Sequence, residues 1–157
     1  MPPTTKAFLD TNALFVAIWS EEGGGRMLLR LGEAGAVQIV VSRQVLAELE
    51  RAIRSKAPHA LASLAVLLDR IHVEVAPEPG REVLTTCEGL VAHPGDAKVL
   101  GAAVASEADY FVTLDRRHFL ESAKLRQAVA FVVGTPGDFL VWFRGRLAGE
   151  GASPRGT

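Results

Sequence analysis

The stretch VQIVVSRQVLAELERAIRSK, residues 37–56, decides the fold class. Four of its first five residues are β-branched, as suits a strand buried on both faces. Ser42 stands where a helix N-cap belongs, since its hydroxyl can accept from a backbone N–H of the first turn. From Arg43 to Lys56 the apolar residues Val45, Leu46, Leu49, Ala52 and Ile53 recur at helical spacing. Strand, cap and helix follow one another without a linker, and the same alternation extends both ways along the chain. Lys6 to Leu9 reads as a first strand, followed by a helix to Trp19 with Thr11 or Asn12 as its cap. Met27 to Leu31 reads as a second helix. Pro58 opens a helix to about Leu68, and His72 to Val75 alternates as a third strand. Helices are expected over Glu82–Val91, from Asp96 to about Ser106, and from Gly137 to about Leu147. Tyr110 to Thr113 and Ala128 to Val133 complete five strands. Strands separated by helices predict an α/β domain, with a parallel sheet covered on both faces.

The composition narrows the class. A chain of 157 residues that is 48% apolar can bury one substantial core. The expected organisation is one domain over residues 1–148 and a small, polar, disordered tail over 149–157. Seventeen basic against eighteen acidic residues leave a net charge of -1, so a globally basic nucleic-acid coat and a polybasic membrane anchor are excluded. Any nucleic-acid contact must come from a local patch. Cys87 is the sole cysteine, which excludes an intramolecular disulfide framework and a cysteine-rich zinc site, and fits a cytoplasmic location. No signal-like or membrane-spanning apolar run is present.

Acids stand where the strands end. In open α/β sheets, sites gather outside the carboxyl ends of the strands. Asp10 follows the first strand, and Asp115 comes two residues after the fourth. Asp96 starts a helix after the Pro94-Gly95 turn. Glu48 falls about 60° from Val45 on the helical wheel, at the border of the apolar face. Singly, each has a bland reading. Asp10 and Asp96 suit helix caps, Asp115 suits a turn, and Glu48 suits a solvated face with Arg51 as partner. Together, acids at one sheet edge repel one another and call for a cation. Oxygen donors without clustered Cys or His point to Mg²⁺ or Mn²⁺.

Five segments in order carry a resemblance. They are Phe8–Leu14, Val41–Leu49, Pro94–Ala103, Glu107–Asp115 and Gly134–Leu140. Across Lys6 to about Phe143 the chain resembles the PIN-domain nucleases, including the short bacterial members that act as toxins in toxin–antitoxin pairs. The resemblance implies a three-layer α/β/α sandwich around a parallel sheet and metal-dependent cleavage of RNA. It places Asp10, Glu48, Asp96 and Asp115 in the acidic, metal-binding cluster, with Asn12 orienting Asp10 and Thr113 beside it. It also implies a small antitoxin partner and a homodimer formed through helices, for which Ala57–Leu68 is a candidate surface. Two positions depart from the family pattern. His93-Pro94-Gly95 precedes Asp96 where an additional acid is common, and Leu114 stands where a small residue is usual.

The chemistry expected of such a site is phosphodiester hydrolysis, in which metal ions offset the charge that repels a nucleophile. Arg43, Lys98, Arg116, Arg117 and His118 lie near the acids in sequence and are the candidates for RNA phosphate contacts. Phe15, Trp19 and Phe119 could stack on bases, although apolar residues at helical spacing usually belong to a core. Competing readings are an inactive PIN-like module that binds RNA or protein, and a housekeeping RNA-processing nuclease without an antitoxin. A dehalogenase-like phosphatase would want a second acid two residues after Asp10, where the chain has Asn12.

Overall fold

A computed structural model describes residues 4–149. Of the tail expected over 149–157, residues 150–157 lie outside the described residues, while Gly149 belongs to the last helix. The chain begins with β1 (Thr5–Leu9), α1 (Thr11–Trp19), α2 (Gly24–Glu33), β2 (Val37–Val41) and α3 (Arg43–Lys56). A 3₁₀ turn at Pro58–Ala60 leads into α4 (Leu61–Arg70), β3 (Glu74–Val75), α5 (Arg81–Glu88) and α6 (Pro94–Ala105). Then come β4 (Tyr110–Val112), a π turn at Arg116–Leu120, α7 (Ala123–Ala128), β5 (Val132–Gly134) and α8 (Pro136–Gly149).

The five strands pair in the order β3-β2-β1-β4-β5, and every pair is parallel. With helices against both faces, this is the expected α/β/α sandwich. β1 sits at the centre. The chain builds outward on one side through β2 and β3, then crosses to β4 and β5 on the other. The switch between β1 and β4 opens a crevice at their carboxyl ends.

Register decides which side chains share a layer. Phe8 lies opposite Phe111, their rings stacked with centroids 5.5 Å apart, and Phe119 and Phe131 extend that cluster around Phe111. Phe119 is therefore core, and not free to stack on a base. On the opposite face Tyr110 packs against Phe139 and Trp142 of α8, while Ile39 reaches Gly32 of α2. In α4, Leu64 is buried and Leu61, Leu67 and Leu68 pack against the core. The expected helical dimer surface therefore directs most of its apolar residues inward, leaving Val66 as its one large exposed hydrophobic residue.

β2 and α3 take the predicted bounds, and Ser42 caps α3 by accepting from the Val45 N–H at 3.0 Å. Four local expectations need correction. The cap of α1 is Asp10, whose carboxylate accepts from Ala13 N at 3.0 Å; Thr11 and Asn12 already lie inside the helix. β3 loses His72 and Val73, because His72 turns into the left-handed region at φ 52° as α4 ends. β5 starts later than expected, because Ser122 caps α7 through Leu125 N and that helix runs to Ala128. Asp96 falls in the first turn of α6, with His93 at the cap position.

β5 ends in a close approach. A Cβ on Gly134 would lie 2.1 Å from Tyr110 Oη and 2.9 Å from Asp138 Cβ. Tyr110 is buried and held by two aromatic neighbours, so it has little room to yield. Gly134→Ala is expected to cost about 1–3 kcal/mol by overpacking, read as a lower urea midpoint. An unchanged midpoint would mean that Tyr110 swings aside freely. Among the described residues, no helix is long and apolar enough to cross a membrane.

Candidate active site

The crevice at the β1/β4 switch collects the acids. Asp10 caps α1 at the end of β1, and its backbone N–H donates to Val112 O of β4 at 3.1 Å. That bond carries the parallel register one residue past the strands and brings Thr113 beside Asp10. The Thr113 hydroxyl donates to Asp10 Oδ2 at 2.5 Å and accepts from Asp115 N at 3.0 Å. Thr113 is fully buried and Asp10 is only 6% exposed, so this contact ties two strand ends together out of water.

Burial is also what most perturbs Asp10. Desolvation pushes its pKa from 3.8 up to about 6, against the hydrogen bonds from Thr113 and Ala13, with Asp115 and Asp96 adding repulsion. The Asp96 carboxyl is raised as well, chiefly by burial, with His118 and His93 opposing the shift and Asp115 and Glu48 adding to it.

Asp115 opens the π turn, accepting from His118 N at 2.9 Å. The His118 ring turns inward, with Nδ1 2.8 Å from Asp115 Oδ2 and 3.8 Å from Asp96 Oδ2. His93 meets it edge to face, centroids 4.9 Å apart. Arg116 and Arg117 are exposed, and neither pairs with an acid among the described residues.

Glu48 arrives on α3. Thr11 Oγ1 donates to its Oε2 at 2.5 Å and Gln44 Nε2 to its Oε1 at 2.9 Å. The same Gln44 amide donates to Gly95 O at 3.2 Å, which ties the start of α3 to the turn carrying Asp96. Glu50, two residues further along the same helix, is exposed and paired with Arg54. Arg51 has no ion pair with Glu48 among the described residues.

The crevice thus gathers Asp10, Asp96, Asp115, Thr113, His118 and, through Thr11 and Gln44, Glu48. Asn12 is exposed and bonds to none of the acids; Thr113 and Ala13 hold Asp10 instead. Thr11, Gln44 and His93 went unassigned in the sequence. Only Gln44 left a signal there, its i,i+4 spacing to Glu48 on a helix.

The donor set suits a hard divalent cation. Among the described residues, no Lys or Arg pairs with any of the four carboxylates, whose only partner in ion-pair range is His118. Uncompensated carboxylate oxygens are the ligands that Mg²⁺ and Mn²⁺ prefer. No three acid or histidine side chains among the described residues stand close enough together to enclose an ion as they lie. The fit is one of donor chemistry.

A parallel 3-2-1-4-5 sheet with carboxylates at its switch point defines an α/β/α protein with an acidic crevice at the carboxyl ends of its strands. The PIN domain pattern matches residues 6–117, and the chain belongs to that family of nucleases, which in general use divalent metal ions. No curated protein sequence matches it. Among solved structures, it is similar to VapBC2 from Rickettsia felis, solved bound to a DNA fragment from its promoter. The TM-score is 0.62 and the identity 20%, covering 82% of this chain and 97% of that one. PAE2754 from Pyrobaculum aerophilum gives a TM-score of 0.55 at 17% identity, covering 90% of each chain.

Proposed function

We infer that the protein is an endoribonuclease dependent on Mg²⁺ or Mn²⁺, and the toxin of a toxin–antitoxin pair that works in the cytoplasm. The observation that carries the nuclease reading is the crevice itself: four carboxylates at the β1/β4 switch, none paired with a Lys or Arg among the described residues. A purely structural site would gain by losing them, since they repel one another. The toxin role rests on the sequence resemblance and on the fold shared with VapBC2, with a small antitoxin as the partner.

Asp10, Asp96 and Asp115 would hold the ion. When bound, the ion supplies positive charge that offsets the phosphodiester's anionic oxygens. Thr113 keeps the Asp10 carboxylate aimed into the crevice. Thr11 and Gln44 fix both oxygens of Glu48, which leaves it oriented to align the attacking water. His118 Nδ1, 2.8 Å from Asp115 Oδ2, would hold that carboxylate in place beside Asp96.

The test is cleavage of a mixed, end-labelled RNA pool with Mg²⁺ or Mn²⁺. Cutting is expected from the wild type, and is expected to be lost on chelation and in Asp96→Asn. Unchanged turnover in a folded Asp96→Asn chain would overturn the site assignment. A metal-loaded wild type that binds RNA without cutting it would favour the binding-module reading instead.

A further inference from the structure

Beside the acidic crevice lies a cleft of about 210 Å³ between the start of α3, the segment after β3 and α6. Arg43 and Gln44 line it from α3, Glu78 and Pro79 from the segment after β3, and Lys98 from α6. Gln44 also bonds to Glu48 and to Gly95 O, so one side chain both lines the cleft and holds an acid of the crevice.

Arg43 and Lys98 are both exposed, and neither makes an ion pair or a side-chain hydrogen bond among the described residues. They lie on elements far apart in sequence, yet the fold brings both to one concavity. Among the described residues, Glu78 is the only acid in the lining, which leaves an excess of positive charge there. The position matters because the crevice itself repels a polyanion. A strand drawn to four carboxylates needs cationic contacts next to them. Arg116 and Arg117 do not line this cleft.

We propose that the Arg43–Lys98 cleft is a subsite that holds a backbone phosphate of the RNA strand next to the scissile one. The inference rests on the RNA-cleaving reading above. The cleft is smaller than the roughly 300 Å³ at which small-molecule sites begin, so it suits part of a passing strand and not a whole free nucleotide. Arg43 and Lys98 clamp the phosphate from two sides, and Glu78 weakens the clamp.

The experiment measures binding of a fluorescent single-stranded RNA oligonucleotide to the full chain carrying Asp96→Asn, in Mg²⁺, across a salt series. Adding Arg43→Gln and Lys98→Gln should weaken binding severalfold. The slope of log affinity against log salt should fall by ~0.7, the value for one single-strand phosphate that is no longer neutralised. Glu78→Gln should act in the opposite direction and tighten binding, a sign that a merely structural role would not produce. Replacing one phosphate beside the scissile position with an uncharged methylphosphonate should reproduce the loss, and have no further effect once Arg43 and Lys98 are gone. An unchanged slope in the Arg43→Gln/Lys98→Gln chain, while wild type still cuts RNA and Asp96→Asn does not, overturns the subsite and leaves the nuclease reading standing. If wild type neither binds nor cuts RNA, both fall together.

Discussion

Asp10→Asn is expected to abolish cleavage and, in metal-free buffer above pH 6, to make the protein more stable. The two effects share one cause. Asp10 is almost wholly buried beside Asp115 and Asp96, and its pKa stands at about 6 against an ordinary 3.8. Between those values the folded protein keeps a proton that the unfolded chain has released. Stability therefore falls as pH rises through that window, and the loss is complete above about pH 6. At ~1.4 kcal/mol per unit, the shift corresponds to roughly 3 kcal/mol. Asn carries no charge to desolvate, and its side-chain oxygen can still cap α1 at Ala13 N. In a chain of this size the gain should raise the melting temperature by about 5–10 °C at pH 8, and the two melting curves should converge near pH 4. Divalent metal should reverse the ranking, because only the wild type has the carboxylate to bind it and gain by mass action. Thermal melts across pH, with chelator and with Mn²⁺, check every limb. An Asn variant less stable than wild type at pH 8 without metal would mean that the carboxylate is not the liability its burial implies.

The parts of this site that were legible in the sequence are those whose cause is local. The β-branched run at Val37–Val41, the Ser42 cap and the helical spacing through Ile53 all act within a few residues, and β2 and α3 appear at the predicted bounds. Asp10 could be located as well, because a strand end followed by a helix is a local event. What the sequence concealed depends on contacts made across the fold. Thr11 reads as a cap until α3 brings Glu48 onto it, 37 residues away. Gln44 looks like a solvated helix residue until the turn before Asp96 arrives 51 residues later. The stretch from Asp115 to Ala128 was illegible for a related reason. Its π turn and short α7 draw little from periodicity, and are held by Phe119 and Leu125 in the core and by the Asp115 and Ser122 side chains at their starts. Asn12, which the resemblance has orienting Asp10, is exposed, and the hydrogen bonds to the Asp10 side chain come from Thr113 and Ala13.

Thr113→Val is expected to be the most damaging near-isosteric change in the crevice. The hydroxyl has two jobs in a place without water. It donates to Asp10 Oδ2 and accepts from the Asp115 N–H. Valine keeps the volume and the β-branched shape that the end of β4 favours, so packing is preserved and the loss is one of hydrogen bonding. Removing one partner of a buried pair leaves the other with its full desolvation cost, about 1–3 kcal/mol for each orphaned group and more for a charged one. With two groups orphaned, a loss of roughly 3 kcal/mol at neutral pH follows. The Asp10 carboxyl should respond too. The Thr113 hydrogen bond opposes the upward shift, so its removal should carry the pKa above about 6. Since the charged form is the one left without its donor, the stability deficit should be largest above pH 6 and should shrink as acid protonates Asp10. Thr113→Ser restores the hydroxyl without the methyl group and should recover most of both properties, which separates hydrogen bonding from packing. In a chain that already carries Asp10→Asn, Thr113→Val should cost distinctly less, because one of the two orphaned groups is then no longer a carboxylate. Carboxyl ¹³C titration of metal-free protein reads the shift of Asp10, and urea unfolding of wild type, both single variants and the double variant reads the coupling. An equal cost of Thr113→Val with and without Asp10→Asn would show that the hydroxyl supports the backbone at Asp115 and has no hold on the acid.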